Sequence, residues 1–274
     1  MKVYVFGATG TVGQPLVEEL TKQGHEVLAV SRKPGPEKKG VQYVDPEPAN
    51  MKGADAVFLL SPGGLADQYS VLKPYLDEAK KIKPGKIVAM TAFGVEFAPE
   101  EVPLRKLELE VLNSGLNATI LRPNWFMQNF NSYWIQGILA DGKIYFPGGD
   151  AKAGFIDARD IAACAASVLT GTDYSGEGLG LTGPQPLDHN EVAAKLSAAT
   201  GKEIQYVDVD PEDFKVSLKE AGLPQDYIEV LSGIAAGLKA GQASAVTDSV
   251  QKILGRAPIT FDQYARDYAS AYQS

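Results

Sequence analysis

The sequence predicts an α/β protein: a doubly wound parallel sheet followed by a smaller, mostly helical C-terminal lobe. Three observations predict it. Short apolar runs rich in β-formers alternate with helical apolar patterns through the first half of the chain. The first of these runs ends in the glycines Gly7, Gly10 and Gly13 and passes straight into a helix. From Asn190 onward helical patterns dominate, around one strand at 203–209. Strands that alternate with helices need crossover connections, and those imply parallel pairing.

Taken in order, residues 3–6 are the first strand, and a helix follows the glycine loop at 14–23. Strands at 26–30, 41–44 and 54–60 are separated by loops rich in Gly, Pro and Lys. A helix over 66–81 contains Pro74, which removes an amide donor and predicts a bend there. A strand at 86–91, a helix at 104–113 and a strand at 118–122 complete the first half. Beyond it lie an aromatic-rich stretch at 124–146, a strand-like piece at 154–157, a helix at 160–170 and a strand at 178–182. The expected organisation is a dinucleotide-binding domain over 1–153, to which 154–172 returns, and a smaller substrate-binding lobe over 173–274 that closes over it.

Composition narrows the function. The formal net charge is −8, with no basic stripe, which argues against nucleic acid as a partner. No run of about 20 apolar residues is present, and Met1 leads directly into a strand; the expectation is a cytoplasmic protein with no membrane span and no secretory signal. The one cysteine, Cys164, sits among small apolar residues, as in a packed helix. His25 and His189 are far apart and lack clustered ligands, so no metal site is expected. No G-x-S-x-G elbow is present, and the sequon at Asn117 lies at a strand start.

The glycine loop carries the chemistry. A pyrophosphate needs bare backbone close to it and the positive end of a helix aimed at it, and glycine alone permits that approach without a clashing Cβ. The strand, glycine loop and helix therefore predict dinucleotide binding through a Rossmann-like fold, although the spacing is G-x-x-G-x-x-G. The second strand runs into Ser31, Arg32 and Lys33, with no carboxylate before Glu37. An acidic residue there would hold a free ribose 2′-hydroxyl, whereas a guanidinium suits a 2′-phosphate, so NADPH is expected in preference to NADH. A solvated loop arginine is the other reading of Arg32.

Gly7-Ala-Thr-Gly-Thr-Val-Gly, Ser31-Arg-Lys-Pro, the stretch from Ser114 to Asn129 that contains Leu121-Arg-Pro-Asn-Trp-Phe-Met-Gln-Asn, and Phe155-Ile-Asp-Ala-Arg-Asp-Ile-Ala resemble the NmrA-like branch of the atypical short-chain dehydrogenase/reductase superfamily, the branch of triphenylmethane and NADPH quinone reductases. Lys239-Ala-Gly-Gln-Ala-Ser and Ile253-Leu-Gly-Arg extend the similarity over nearly the whole chain. The resemblance places Leu60, Ser61, Pro62, Thr91, Ala92 and Phe93 beside the ribose and nicotinamide. It puts Thr9, Thr11 and Val12 near the pyrophosphate, with a plain turn role as the alternative for single side chains. Each of these loops leaves the carboxyl end of a parallel strand, where such folds bind ligands.

Typical superfamily members use Tyr-x-x-x-Lys on the helix after the fifth strand, where the tyrosine gives a proton and the lysine lowers its pKa. That helix has no tyrosine here. Tyr69-Ser-Val-Leu-Lys73 has the spacing but sits on the preceding helix, which packs on the sheet, so no catalytic role is assigned to it. Lys106 is a weak candidate to reach the nicotinamide ribose; an exposed charge at a helix start is the competing reading. Asn124, Trp125, Phe126, Met127, Gln128, Phe130 and Phe155, with Pro123, Tyr133 and Trp134 nearby, suit a flat aromatic acceptor, with Asn124 and Gln128 as polar handles. About half of these rings are equally suited to core packing.

Two functions follow. One is an NADPH-dependent reductase that passes hydride to a quinone, azo or triarylmethane acceptor without a tyrosine acid. The other is a non-catalytic NADP(H)-binding redox sensor acting through a protein partner. Homodimerisation stays open.

Overall fold

The computed structural model describes residues 1–33, 35–171 and 173–273. Pro34, the last residue of the Ser31-Arg-Lys-Pro motif, and Thr172 and Ser274, which end two of the expected segments, lie outside the described residues. The chain runs β1 (Lys2–Val5), α1 (Gly13–Lys22), β2 (Glu26–Val30), β3 (Val41–Val44), β4 (Ala56–Leu60), α2 (Gln68–Ile82), β5 (Lys86–Met90), α3 (Pro103–Leu112) and β6 (Ala118–Pro123). It continues through α4 (Ile135–Asp141), β7 (Lys143–Phe146), α5 (Ala158–Thr170), β8 (Gly178–Leu181), α6 (His189–Thr200) and β9 (Gln205–Asp208). The last elements are α7 (Pro211–Glu220), α8 (Gln225–Lys239), α9 (Ser249–Leu254) and α10 (Phe261–Asp267).

These elements form two compact units. The first comprises Met1–Pro123, Ala158–Leu181 and Ser249–Arg256; the second comprises Asn124–Asp157, Thr182–Asp248 and Ala257–Ser274. The units interleave along the chain, where the sequence reading has nearly contiguous domains divided at 153 and 172. Residues 124–153, expected in the cofactor domain, cluster with the second unit, and β8 and α9, expected in the lobe, cluster with the first. The reason for β8 is pairing: it joins β6 as a further parallel strand, with Leu121 opposite Leu179.

The first unit is a seven-stranded sheet in the order β3-β2-β1-β4-β5-β6-β8, and every neighbouring pair is parallel. The strand order reverses between β1 and β4, which creates the topological switch point of a doubly wound fold. All residues of β5 and β6 are buried, as expected of strands covered on both faces. On one face Tyr4, Phe6, Val57, Leu59 and Ile87 meet Leu72 and Leu76 of α2 and Leu107 and Val111 of α3 in a continuous core. Helix α2 begins two residues later than the spacing suggests, because Asp67 caps it by accepting from the Ser70 amide at 3.0 Å. It runs through Pro74 as one helix.

The second unit packs α4, α6, α7, α8 and α10 with the parallel pair β7–β9 around an aromatic core. The strand-like piece at 154–157 forms one isolated bridge, Ile156 with Phe126, and Ala153 just before it forms another with Leu187. Helix α6 starts in a capping box: Asp188 accepts from the Glu191 amide, and the Glu191 carboxylate accepts from the Asp188 amide. That cap delivers the first helical residue, His189, into the core, where it is wholly buried. Phe130, Trp134, Phe146, Phe155 and Tyr206 surround it, at ring-centroid distances of 5.0–6.0 Å. Neither ring nitrogen has a hydrogen-bond partner. Burial pushes the imidazole down to about 4, against a smaller opposing pull from Asp208.

Two predictions follow from this packing. A Cβ at Gly13 would stand 2.0 Å from the Gly7 carbonyl oxygen, whereas one at Gly10 would stand 3.4 Å from it. Gly13→Ala therefore lowers the melting temperature by about 5 °C or more and Gly10→Ala by less than about 2 °C, measured by calorimetry. For His189, the unfolded imidazole takes up a proton near pH 6.5 while the folded one stays neutral until about 4. Stability is thus lost as pH falls through that window, by up to about 3 kcal/mol. In urea titrations at pH 7 and pH 4.5, the wild-type chain loses more stability on acidification than His189→Phe; equal losses would disprove the assignment.

Candidate cofactor site

At the end of β1 the chain turns at Gly7, whose φ of +85° favours glycine, and rises through Thr9, Gly10 and Thr11, all exposed. It re-enters the fold at Val12, whose side chain is buried, so Val12 offers a ligand its amide and not its side chain. The Gly10 amide donates to the Gly7 carbonyl at 3.1 Å, and the Gln14 amide donates to the Gly10 carbonyl at 3.0 Å. Pro15, in the first turn of α1, has no N–H to satisfy. Among the described residues, no acceptor faces the amides of Val12 and Gly13. The N-cap position is Val12, which makes no side-chain cap, and the first turn carries no acidic residue. A helix end with open donors and no capping carboxylate fits an anion such as a pyrophosphate. A Cβ on Gly7 would lie 3.0 Å from the Leu60 carbonyl, so the loop also packs tightly against the end of β4.

Of the residues expected at the 2′-phosphate, Arg32 and Lys33 are exposed and make no ion pair among the described residues. Ser31 shapes the turn: its hydroxyl donates to the Lys33 carbonyl and accepts from the Lys33 amide. After β4, Leu60 and Ser61 are half-buried and Pro62 is exposed; the Ser61 hydroxyl donates to the Pro62 carbonyl. After β5, Thr91 is buried, Ala92 and Phe93 are half-buried, and the Phe93 amide donates to the Pro123 carbonyl at 3.0 Å. All these loops leave carboxyl ends of neighbouring parallel strands, on one edge of the sheet.

Helix α3 brings no tyrosine to that edge. The spaced pair on α2 is engaged elsewhere: the Tyr69 hydroxyl donates to Glu110 at 2.7 Å, and Lys73 pairs with Asp77 at 2.6 Å and Glu110 at 3.5 Å. The bond to Glu110 raises the Tyr69 phenol, the opposite of what a catalytic acid needs. Lys106 is exposed, and its Nζ lies 4.3 Å from the centre of the Tyr69 ring, a cation–π contact.

The residues expected at the acceptor fall in the second unit, except Pro123, which ends β6 in the first. Met127, Phe130 and Phe155 are buried in its core, and half-buried Trp125 and Trp134 pack against that core. Phe126 is half-buried and Tyr133 is 73% exposed. Asn124 and Gln128 already have protein partners: Asn124 Nδ2 donates to the Ala243 carbonyl at 2.8 Å, its Oδ1 accepts from the Trp125 amide, and Gln128 Nε2 donates to Asp157 at 2.9 Å. Sequence reasoning missed Glu108, which is wholly buried and bonded to Thr91 and Arg122. The signal was present, since Glu108 falls on the stripe Leu104, Leu107 and Val111, where helical periodicity calls for an apolar residue. No helix of the described residues is long and apolar enough to cross a membrane.

The chain is similar to known proteins in sequence and in fold. A family model described as NAD(P)H-binding matches residues 7–172, and one described as the NmrA-like family matches residues 105–264. The NAD(P)H azoreductase of Xenophilus azovorans is 32% identical over 98% of this chain and 99% of its own length. In fold, the chain is similar to the Escherichia coli NADPH-dependent quinone oxidoreductase in complex with NADPH, with a TM-score of 0.83, 22% identity, and coverage of 97% of this chain and 99% of that one. It is also similar to the Citrobacter triphenylmethane reductase in complex with NADP(H), with a TM-score of 0.79, 21% identity, and coverage of 98% and 100%. The uncapped glycine-loop helix, the switch-point sheet and both family matches make this chain a member of the NmrA-like family with an NAD(P)H-binding module.

Proposed function

We propose that the protein is an NADPH-dependent reductase of flat, apolar, electron-poor acceptors of the quinone, azo or triarylmethane class. The single observation that carries the cofactor half is the open end of α1, with two unpartnered amides, no side-chain cap and no acid in its first turn. The Val12 and Gly13 amides bind the pyrophosphate, and Thr9, Gly10 and Thr11 present exposed backbone to it. Arg32 takes the 2′-phosphate through its guanidinium, with Lys33 adding charge and Ser31 holding the turn. No carboxylate stands at the end of β2 to accept from a free 2′-hydroxyl, which favours NADPH over NADH. Leu60, Ser61, Pro62, Thr91, Ala92 and Phe93 flank the nicotinamide half.

When bound, the reduced nicotinamide supplies a hydride. The protein's own contribution is orientation, since α3 carries no proton-donating tyrosine and Lys106 is stacked on Tyr69. Hydride addition turns a quinone or an azo compound into a delocalised anion that water can protonate, and it neutralises a triarylmethane cation outright, with no proton needed. Trp125 and Phe126 are half-buried aromatic residues, a kind that stacks on flat acceptors, and Trp125 packs against the core that holds Met127, Phe130 and Phe155. The activities named for the azoreductase, quinone and dye reductase relatives support this class.

A second reading, a cofactor-binding redox sensor without turnover, draws on one observation. The polar side chains Thr91, Asn124 and Gln128 are committed to protein partners, and none is poised to give a proton. Steady-state NADPH oxidation against a panel of quinones, azo dyes and triarylmethane dyes separates the two. Turnover of at least one class above background is expected; tight NADPH binding without turnover of any would establish the sensor. In the same assays Arg32→Ala weakens NADPH binding about tenfold and leaves NADH unchanged, the loss of a charge-assisted phosphate contact. Equal affinity of the wild-type chain for both cofactors would overturn the NADPH preference.

A further inference from the structure

Glu108 stands on α3 and is fully inaccessible, yet its two carboxylate oxygens accept four hydrogen bonds. Oε1 accepts from Thr91 Oγ1 at 2.6 Å and Arg122 Nε at 2.8 Å; Oε2 accepts from Arg122 Nη2 at 2.9 Å and Arg105 Nη1 at 3.0 Å. Arg122 comes from β6, Thr91 from the end of β5, and Arg105 from the first turn of α3. Glu96, in the turn that follows Thr91, brings a second carboxylate to 3.6 Å from Arg122 Nε. β8 makes room for the guanidinium, since a Cβ at Gly178 would lie 2.3 Å from Arg122 Nη1. A buried ion pair is weak evidence of stabilisation, because desolvation offsets much of the attraction. Geometry is what this cluster delivers.

The Thr91 hydroxyl has one proton, and a carboxylate has none to return, so Thr91 donates to Glu108. Whatever else Thr91 Oγ1 bonds to, it can only accept. Thr91 is 7% exposed and begins the loop that leaves the carboxyl end of β5.

We infer that Glu108 is a positioning residue for the nicotinamide half of the cofactor: it holds Thr91 as a hydrogen-bond acceptor for a donor there, a ribose hydroxyl or the carboxamide amino group. The same bond bars Thr91 from giving a proton to the hydride acceptor. This inference rests on the reading above that the loop after β5 faces the nicotinamide.

The test uses two ligands and direct binding. NADPH carries the nicotinamide riboside; 2′-phospho-ADP-ribose shares its adenosine and diphosphate and lacks the nicotinamide. Dissociation constants for both are measured by calorimetry on the wild-type chain, Thr91→Val, Thr91→Ser, Glu108→Gln and the Thr91→Val/Glu108→Gln double variant. Thr91→Val and Glu108→Gln each weaken NADPH about tenfold and change 2′-phospho-ADP-ribose less than about twofold. Thr91→Ser keeps wild-type affinity, and the double variant is no weaker than the worse single one, as expected of two residues acting through one bond. Thr91→Val leaves the Arg122–Glu108 pair intact, so it decides the matter even where Glu108→Gln fails to fold. Parallel loss of both ligands would show a general structural role, and unchanged NADPH affinity in Thr91→Val would equally overturn the inference. A wild-type chain that binds neither ligand overturns the cofactor reading itself, and this inference with it.

Discussion

The approach of Gly13 to the Gly7 carbonyl is the constraint on which the first unit's function depends. The start of α1 is pressed so closely onto the end of β1 that no side chain fits between them. This closeness aims the axis of α1 at the carboxyl edge of the sheet and leaves the Val12 and Gly13 amides open at its tip. A capping Ser, Thr, Asp or Asn at position 12 would have satisfied one of those amides and stabilised the helix. Valine gives up that stabilisation, roughly 1 kcal/mol, and packs into the core, so the donors remain available to an anion. The local rule for a stable helix start is broken at the place where the chain's chemistry begins.

Glu108 and His189, each wholly buried, meet that burial in opposite ways. In the first unit, Glu108 is saturated with donors, and its bonds tie β5, β6 and α3 into one geometry next to the loop edge. In the second, His189 is enclosed by aromatic rings with both nitrogens unpartnered. An unmade hydrogen bond of this kind costs about 1–3 kcal/mol. The ring contacts around it, which include near-parallel stacking on Tyr206 at 27°, offset part of that cost. The imidazole behaves as a core aromatic residue that happens to be titratable.

The reductase reading asks little of the protein in acid–base terms. The helix on which the sequence reading looks for a tyrosine acid carries Glu108 instead, and Glu108 is sealed from solvent. Chemistry that needs a strong proton donor is poorly served by such a site. Hydride transfer to an acceptor that stabilises its own product asks chiefly for orientation.

The periodicity of apolar residues and the glycine loop were enough to read off the alternating architecture, the parallel sheet and the dinucleotide module, because each is encoded within a few adjacent residues: β-branched runs, a turn that only glycine permits, and a helix directly after it. The absence of Tyr-x-x-x-Lys from α3 was legible for the same reason. Which of the side chains at 124–155 belong to the core was not, since an aromatic residue carries the same local signature in a core as on a surface; Met127, Phe130 and Phe155 lie in the core. Nor was the return of β8 to the sheet, a pairing between β6 and a strand more than fifty residues further on. Glu108 sits on an apolar stripe of its helix, but neither it nor His189 shows in the sequence what it packs against. Only the tertiary structure decided that one is the hub of a charge cluster and the other a ring among rings, because burial is a property of what the chain folds against and not of the residue itself.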